Sequence, residues 1–429
     1  MKTLKDIEKE INTLPKGNVY EKEIKGNIYY YHQYTFNNRH HSKKISLTEK
    51  EYLEPLIEQR KTLENVMREL KKINTNNIKL TNQSRQLTGF IMSGDREVAE
   101  FENGVLISVD RDLCPLSIQK SHGIQRFLES RTLDTNRKNN KLLLEKLDIH
   151  EEWEPNIPLY NHLRALTDDY WFKPLKSKTK FQHVQFENDR YFMLTLEGDE
   201  AFVPVGRKLT PELTIKGHHE KGWRLVNGEW WLYKKENKTE AARELYCVAL
   251  AKLCHIPVVE YLYKDNYVIS KNFAVENNYE PFSAIFKKEA TVADRYSFIK
   301  RYNDRAAKEY LISFVFDTLI NNKRDHDDVG ILRNKESGNV ICLAPLFDFH
   351  AAKIEEISDS NEDDSMKQLL GLLKDNEVKE DLKEFTKIEL NEEILETIKL
   401  SSEFKVKNIK NVRKNLVNRL NLIKEYIMK

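Results

Sequence analysis

The sequence predicts an α+β protein of two lobes, preceded by a small module of strands and one helix. Three observations carry that prediction. From about Leu166 onward strand-like segments come first and helical ones follow, an order that suits an α+β fold better than a repeating βαβ sheet. Two-residue turn signals at Asn103-Gly104 and Asn227-Gly228 sit between strand-like runs, as in antiparallel hairpins. The chain of 429 residues is too long for one ordinary core and shows no internal repeat.

Composition narrows the class. The hydrophobic fraction is 40% and the charged fraction 32%, as in globular rather than disordered chains. A net charge of +2 excludes a molecule that binds nucleic acid over its whole surface, so any such contact must be local. The four cysteines form no CxxC pair and no zinc spacing, and Cys247 and Cys254 share a helical face as expected buried thiols. The start, MKTLKDIEKE, has no apolar signal region, and no stretch approaches the length of a membrane span. A cytoplasmic protein without membrane contact is expected.

Residues 1 to 75 read as the first module. LPKG opens it, and the alternating run that includes Tyr29, Tyr30, Tyr31 and Tyr34 predicts two or three strands around turns at Lys25-Gly26-Asn27 and Asn37-Asn38. A helix is expected from Leu47 with Thr48 as its N-cap and an apolar stripe through Leu53, Leu56, Ile57, Leu63, Val66, Met67 and Leu70. Residues 1 to 80 hold 16 Lys plus Arg against 11 Asp plus Glu, a net of +5. Arg39, His40, His41, Lys43 and Lys44 are therefore candidates for a weak nucleic-acid contact, with a solvated basic face as the alternative. Residues 76 to 89 are polar and Asn-rich, a linker.

A subdomain follows over 90 to 165, with VAEFENGVLISV as a hairpin and helices around Gly123 to Ser130 and Asn136 to Leu147. A β-rich lobe is expected over 166 to 260 and a helical lobe over 261 to 429.

Three segments carry chemistry. GWRLVNGEWWLYKK reads as a hairpin whose second strand ends in Lys234 and Lys235, where a phosphate-binding cation belongs. The turn-rich stretch before it, including Thr214, Lys216, Gly217 and His218, offers backbone amides to phosphates. On the next helix either Glu240 or Glu244 is placed to pair with the strand lysine. FDTLINNKRDHDDVGILRN packs Arg324, Asp325, His326, Asp327 and Asp328 into one short loop, where like charges repel unless a cation or phosphate intervenes. VICLAPLFDFHAA runs from an apolar strand straight to Asp348, a carboxylate at the edge of a core that needs a cation or donors.

Together these segments resemble the HipA-like kinase family, in a phage-associated branch of low-GC bacteria. The likeness extends over roughly residues 88 to 370 and is carried by VAEFENG, SRTLDTNRKNNKLLL, TDDYWFKP, RKLTPELTIKGHHEKGWRL, WWLYKK, SFVFDTLINN and LAPLFD. The N-terminal LPKG and YYYHQY also look like a module of phage and mobile-element proteins. The resemblance implies a protein-kinase-like fold, with a β-rich N-lobe and a helical C-lobe, that phosphorylates protein Ser or Thr with ATP and Mg2+. It also implies a toxin, defence effector or regulator, often partnered with a DNA-binding antitoxin. Lys234 would hold ATP phosphates with Glu244, Thr214 to Lys221 would cover them, and Asp348 would bind Mg2+. The family's catalytic loop reads Asn-x-Asp-Arg-His-x-x-Asn, then an aromatic and a Gly. Here Asn322-Lys323-Arg324-Asp325-His326-Asp327-Asp328-Val329-Gly330 is one residue short and puts Arg324 where the catalytic Asp belongs. Asp325 then becomes the expected base, His326 its support and Asp328 the second metal ligand. The alternative is a loop that keeps nucleotide binding and has lost catalysis.

Beyond Asp348 an acidic stretch surrounds Ser358 and Ser360, either a phosphorylatable activation segment or a solvated loop. Residues 401 to 429 reverse the sign, with eight Lys plus Arg against two Glu. This reads as a solvated C-terminal helix face.

Overall fold

The computed structural model describes every residue except 1–3, 37–38, 79–86, 121–122, 151–153, 205, 207 and 358–362. The expected turn at Asn37-Asn38, most of the expected linker, and Ser358 and Ser360 lie outside the described residues.

The N-terminal module begins with a helix that the sequence reading passed over, α1 (Leu4–Thr13). Strands β1 (Asn18–Ile24), β2 (Asn27–Phe36) and β3 (Arg39–Ile45) follow as an antiparallel meander. Lys25 and Gly26 take φ of 52° and 77°, the two left-handed residues of a hairpin turn that matches strand twist. Helix α2 (Leu47–Ile78) starts on Ser46 rather than Thr48. The Glu49 amide donates to Ser46 Oγ at 3.1 Å and the Ser46 amide donates to Glu49 Oε2 at 2.8 Å, a reciprocal cap. Arg60 of α2 donates to the carbonyls of Ile11 and Leu14 at 2.5 and 2.7 Å and so closes the C-terminal end of α1.

A second antiparallel sheet has the order β6-β5-β4-β7. It is built from β4 (Gly89–Ser93), β5 (Arg96–Glu102) and β6 (Val105–Val109), and from β7 (Tyr170–Pro174), which arrives after helices α3 (Gly123–Glu129) and α4 (Asn140–Leu147). Ile7 and Ile11 of α1, with Leu63, Val66 and Met67 of α2, pack on Ile91, Val98, Phe101 and Leu106 of this sheet. The expected boundary at 166 is displaced, because β7 pairs with β4 and belongs to the earlier sheet.

After α5 (Phe192–Glu197) comes a four-stranded sheet of order β10-β11-β9-β8. Its strands are β8 (Lys221–Val226), β9 (Glu229–Lys235), β10 (Tyr261–Lys264) and β11 (Tyr267–Lys271), with α6 (Lys238–Leu253) inserted before β10. The expected boundary at 260 therefore cuts through this sheet. The remaining chain is helical around a small sheet of order β12-β13-β14. It runs β12 (Asn277–Pro281), α7 (Phe282–Ile285), α8 (Val292–Lys300), α9 (Asp304–Leu319), β13 (Gly330–Asn334) and β14 (Val340–Leu343). Helices α10 (Asp364–Leu372), α11 (Asn376–Leu382), α12 (Glu392–Glu396) and α13 (Ile409–Met428) complete it. Their apolar faces join those of α6 and α9 in the largest core, around Val315, Phe316, Leu369, Leu382, Leu416 and Leu420. Cys247 and Cys254 are free and buried, in keeping with the sequence reading.

A buried ion pair fixes the second sheet to this helical part. Arg333 of β13 donates to Glu280 of β12 at 2.5 Å and to the Cys114 carbonyl at 2.9 Å, while Glu280 accepts from the Leu116 amide at 2.8 Å. Among the described residues no helix is long and apolar enough to cross a membrane.

Candidate functional site

The β8–β9 hairpin sets the geometry. Asn227 and Gly228 take φ of 52° and 83°, the two-residue turn that their types favour. Such a turn fixes the register, and it places Lys221 directly opposite Lys234. Two lysines side by side across a strand pair repel each other unless anions lie between them. The anions come from two other elements. In α6 the Asn237 side chain accepts from the Thr239 and Glu240 amides at 3.0 Å, and Glu240 closes the box on the Asn237 amide at 3.3 Å. Glu240 is thereby used as a cap. Glu244, one turn further, accepts from Lys234 Nζ at 2.8 Å. Asp348, in the loop after β14, accepts from Lys234 Nζ at 3.0 Å and from Lys221 Nζ at 3.4 Å.

Asp348 sits in a left-handed backbone conformation, φ 53°, which is costly for a residue with a side chain and tends to be kept at working sites. Its amide donates to the Tyr261 hydroxyl at 2.8 Å, the next amide donates to Glu244 at 3.3 Å, and His350 Nδ1 lies 2.5 Å from its carboxylate. Burial opposes ionisation of Asp348, but Lys234 and Lys221 overcome it and hold the carboxyl well below the usual range. Burial likewise opposes the charge on Lys234, and Asp348, Glu244 and Glu236 reverse the effect and raise its pKa. Glu236 comes within 2.6 Å of the same ammonium, yet neither of its buried oxygens has an aligned hydrogen-bond partner. Burial, and then the charge of Glu244, push its carboxyl upward.

The loop after α9 supplies the opposite wall. Arg324 points beneath it: Nε and Nη2 donate to both oxygens of Asp317 at 2.8 and 2.9 Å, and Nη1 donates to the carbonyls of Phe347 and Asp348. Arg324 is thus a strut that locks this loop to the Asp348 loop. Asp328 lines the cleft, and burial together with the nearby Asp348 charge raises its pKa. Two buried carboxylates that repel in this way are a natural seat for a divalent cation.

The structure gathers some of the expected site residues and not others. Thr214, Lys216, Lys234, Glu244, Asp328 and Asp348 all line one cleft, beside the apolar surfaces of Val259, Val268 and Phe347. Gly217 and His218 do not line it: Gly217 lies against Lys221 Nζ, and His218 Nδ1 stands 3.1 Å from Asp134. Asp325 is exposed outside the lining and accepts from the His326 amide at 2.6 Å. His326 also lies outside it, with Arg295 Nη2 2.6 Å from its Nε2, and burial, then Arg295, lower its pKa. The lining also includes Lys221, which the sequence reading gave only as the end of the phosphate-covering stretch, and Asp327, to which it gave no role of its own. Lys221 was within reach of it, since counting outward from a two-residue turn pairs it with Lys234.

Behind β8 lies a further buried carboxyl. Glu212 accepts from the Trp223 amide at 2.8 Å and from Thr195 Oγ1 at 3.0 Å, and burial raises its pKa from 4.5 to about 7 against the pull of Arg137. An acid that titrates higher in the fold than in the unfolded chain keeps its extra proton only in the fold. Stability from this group is therefore full below about 4.5 and is lost as pH rises toward about 7, on the order of 3 kcal/mol in all. Chemical denaturation at pH 5 and pH 8 should show Glu212→Gln losing less stability across that interval than the natural chain. Equal losses would contradict the assignment.

No family model and no curated protein matches the sequence. Solved structures do match its fold. HipA of Shewanella oneidensis MR-1, from a toxin-antitoxin system and solved with HipB and operator DNA, is 14% identical over 80% of this chain and 100% of its own, with a TM-score of 0.54. A proinflammatory kinase of Helicobacter pylori, CtkA, is 17% identical over 48% of this chain and 90% of its own, with a TM-score of 0.34, too low to bear on the fold. The chain has a HipA-like fold.

Proposed function

From the HipA-like fold, we propose that the cleft binds ATP with Mg2+ and transfers the γ-phosphoryl group to a Ser or Thr hydroxyl of a protein. The observation that carries this reading is the convergence of Lys234, Glu244 and Asp348, from a strand, a helix and a loop, at 2.8 and 3.0 Å, with Asp328 facing them. Lys234 and Lys221 supply the positive charge that phosphates require, and Glu244 holds Lys234 in place. Asp348 and Asp328 would hold the metal, whose charge offsets that of the phosphates. Among the described residues no group of three or more His, Cys, Asp or Glu forms a cage for a metal. Mg2+ commonly binds through one or two carboxylates plus phosphates and water, a number that Asp348 and Asp328 provide.

In the transfer, the bond from the acceptor oxygen to phosphorus forms as the bond from phosphorus to the bridging oxygen of ADP breaks. The acceptor proton passes to a carboxylate. Asp325 is the expected base, but Asp327 has the better claim on position, because it lines the cleft beside Asp328. Asp327→Asn should lower transfer by about a hundredfold or more with nucleotide affinity retained, and Asp325→Asn should change it only a few-fold. The reverse pattern, read with labelled ATP, would give the role to Asp325.

A second reading is favoured by Arg324, which occupies the position expected for the base and is consumed in pairing with Asp317. It is a nucleotide-binding protein without transfer, and it predicts that neither substitution has any activity to remove. The assembly of the Shewanella HipA with HipB and operator DNA is the ground for expecting an antitoxin-like, DNA-binding partner here as well. Such a partner would fit the roles of toxin, defence effector or phage regulator.

A further inference from the structure

The N-terminal sheet has two chemically different faces. Cross-strand pairing sets Tyr20 against Tyr31 and Tyr31 against Lys44, and sets Lys22 against Tyr29. Alternation along each strand then puts these residues on one face with Gln33, His40 and Ser42. The only carboxylates in the three strands, Glu21 and Glu23, fall on the other face, where Lys50 of α2 pairs with Glu21. Arg39, His41 and Lys43 also point there, so of the basic set expected to act together only His40 and Lys44 lie with the tyrosines.

That carboxylate-free face is open. Tyr20 is 39% exposed, Lys22, Gln33, His40, Ser42 and Lys44 are exposed, and Tyr29 and Tyr31 are half-buried. The Tyr20 and Tyr31 rings stack with centroids 5.4 Å apart and planes 16° apart, and Lys44 Nζ sits 3.9 Å over the Tyr29 ring. An exposed sheet surface with ordered aromatic rings, lysines and no acid is complementary to a flat, anionic ligand with π-faces.

We propose that this face binds single-stranded nucleic acid, with bases stacking on Tyr20, Tyr29 and Tyr31 and phosphates drawn to Lys22 and Lys44. Stacking of this kind tolerates any base, and it is open only to a strand whose bases are unpaired. A duplex hides the base faces, and an acidic peptide would use the lysines and leave the rings idle. The proposal is independent of the activity proposed for the cleft.

Fluorescence anisotropy of the full chain with labelled oligothymidylate, oligouridylate and a duplex of equal length tests it, over a range of salt. Both single strands should bind more tightly than the duplex; a preference for oligouridylate would assign RNA, and its absence single-stranded DNA. Tyr20→Leu with Tyr31→Leu should weaken single-strand binding by about tenfold or more with the salt slope unchanged. Lys22→Gln with Lys44→Gln should lower that slope by about 1.4, as for two phosphate contacts on a single strand. A duplex bound as tightly as the single strands, or displacement by polyglutamate at equal charge, would overturn the proposal. Should the tyrosine variant lose its fold, photocrosslinking of a 5-bromouracil oligonucleotide to the natural chain decides. Crosslinks within 20 to 31 support the site, and crosslinks confined elsewhere overturn it.

Discussion

Asp348→Asn should leave the protein folded, remove the effect of Mg2+ on nucleotide binding, and lower phosphoryl transfer by about a thousandfold or more. The fold survives because Lys234 keeps an anionic partner: without the charge of Asp348, Glu244 at 2.8 Å still balances it. What disappears is the one carboxylate that both lysines share and that faces Asp328. Titration calorimetry of ATP with and without Mg2+, alongside a melting curve, separates these effects. A variant that melts normally and still binds ATP more tightly with Mg2+ would show that the metal sits elsewhere.

Lys234→Met should act on stability as strongly as on function. The residue is 5% exposed, and its ammonium touches Glu236, Glu244 and Asp348. Removing the cation from a buried cluster leaves its anions uncompensated, at a cost of about 3–5 kcal/mol. The loss should be partly recovered by adding Glu244→Gln, which removes one of the stranded charges, whereas nucleotide binding should not return. Urea denaturation of the single and double variants measures this coupling directly. Strictly additive losses would mean that Lys234 and Glu244 act independently, against the 2.8 Å contact.

Much of this site was legible because its elements carry local signals. A two-residue turn announces the β8–β9 hairpin, and an apolar strand ending in Asp announces the Asp348 loop. Local signals do not encode which distant strands pair. For that reason the expected boundaries at 166 and 260 separated β7 from β4 and β10 from β9's sheet. Helix α1 carried a signal that was passed over: Ile7 and Ile11, one turn apart, are buried against α2 and the second sheet. In the loop after α9 the charges were visible but their directions were not. Asp317 gave the overlooked clue: a carboxylate in the apolar C-terminal half of α9 needs a buried partner, and Arg324 is that partner.

The proposed reaction carries phosphate from ATP to a protein hydroxyl. Its most direct test is incubation of the purified chain with γ-labelled ATP and Mg2+, alone and with cell extract, followed by phosphoamino-acid analysis. Label is expected on phosphoserine or phosphothreonine, dependent on Mg2+ and absent with Asp348→Asn. Label that persists with Asp348→Asn, or ATP that binds with Mg2+ but yields no labelled protein, would contradict it.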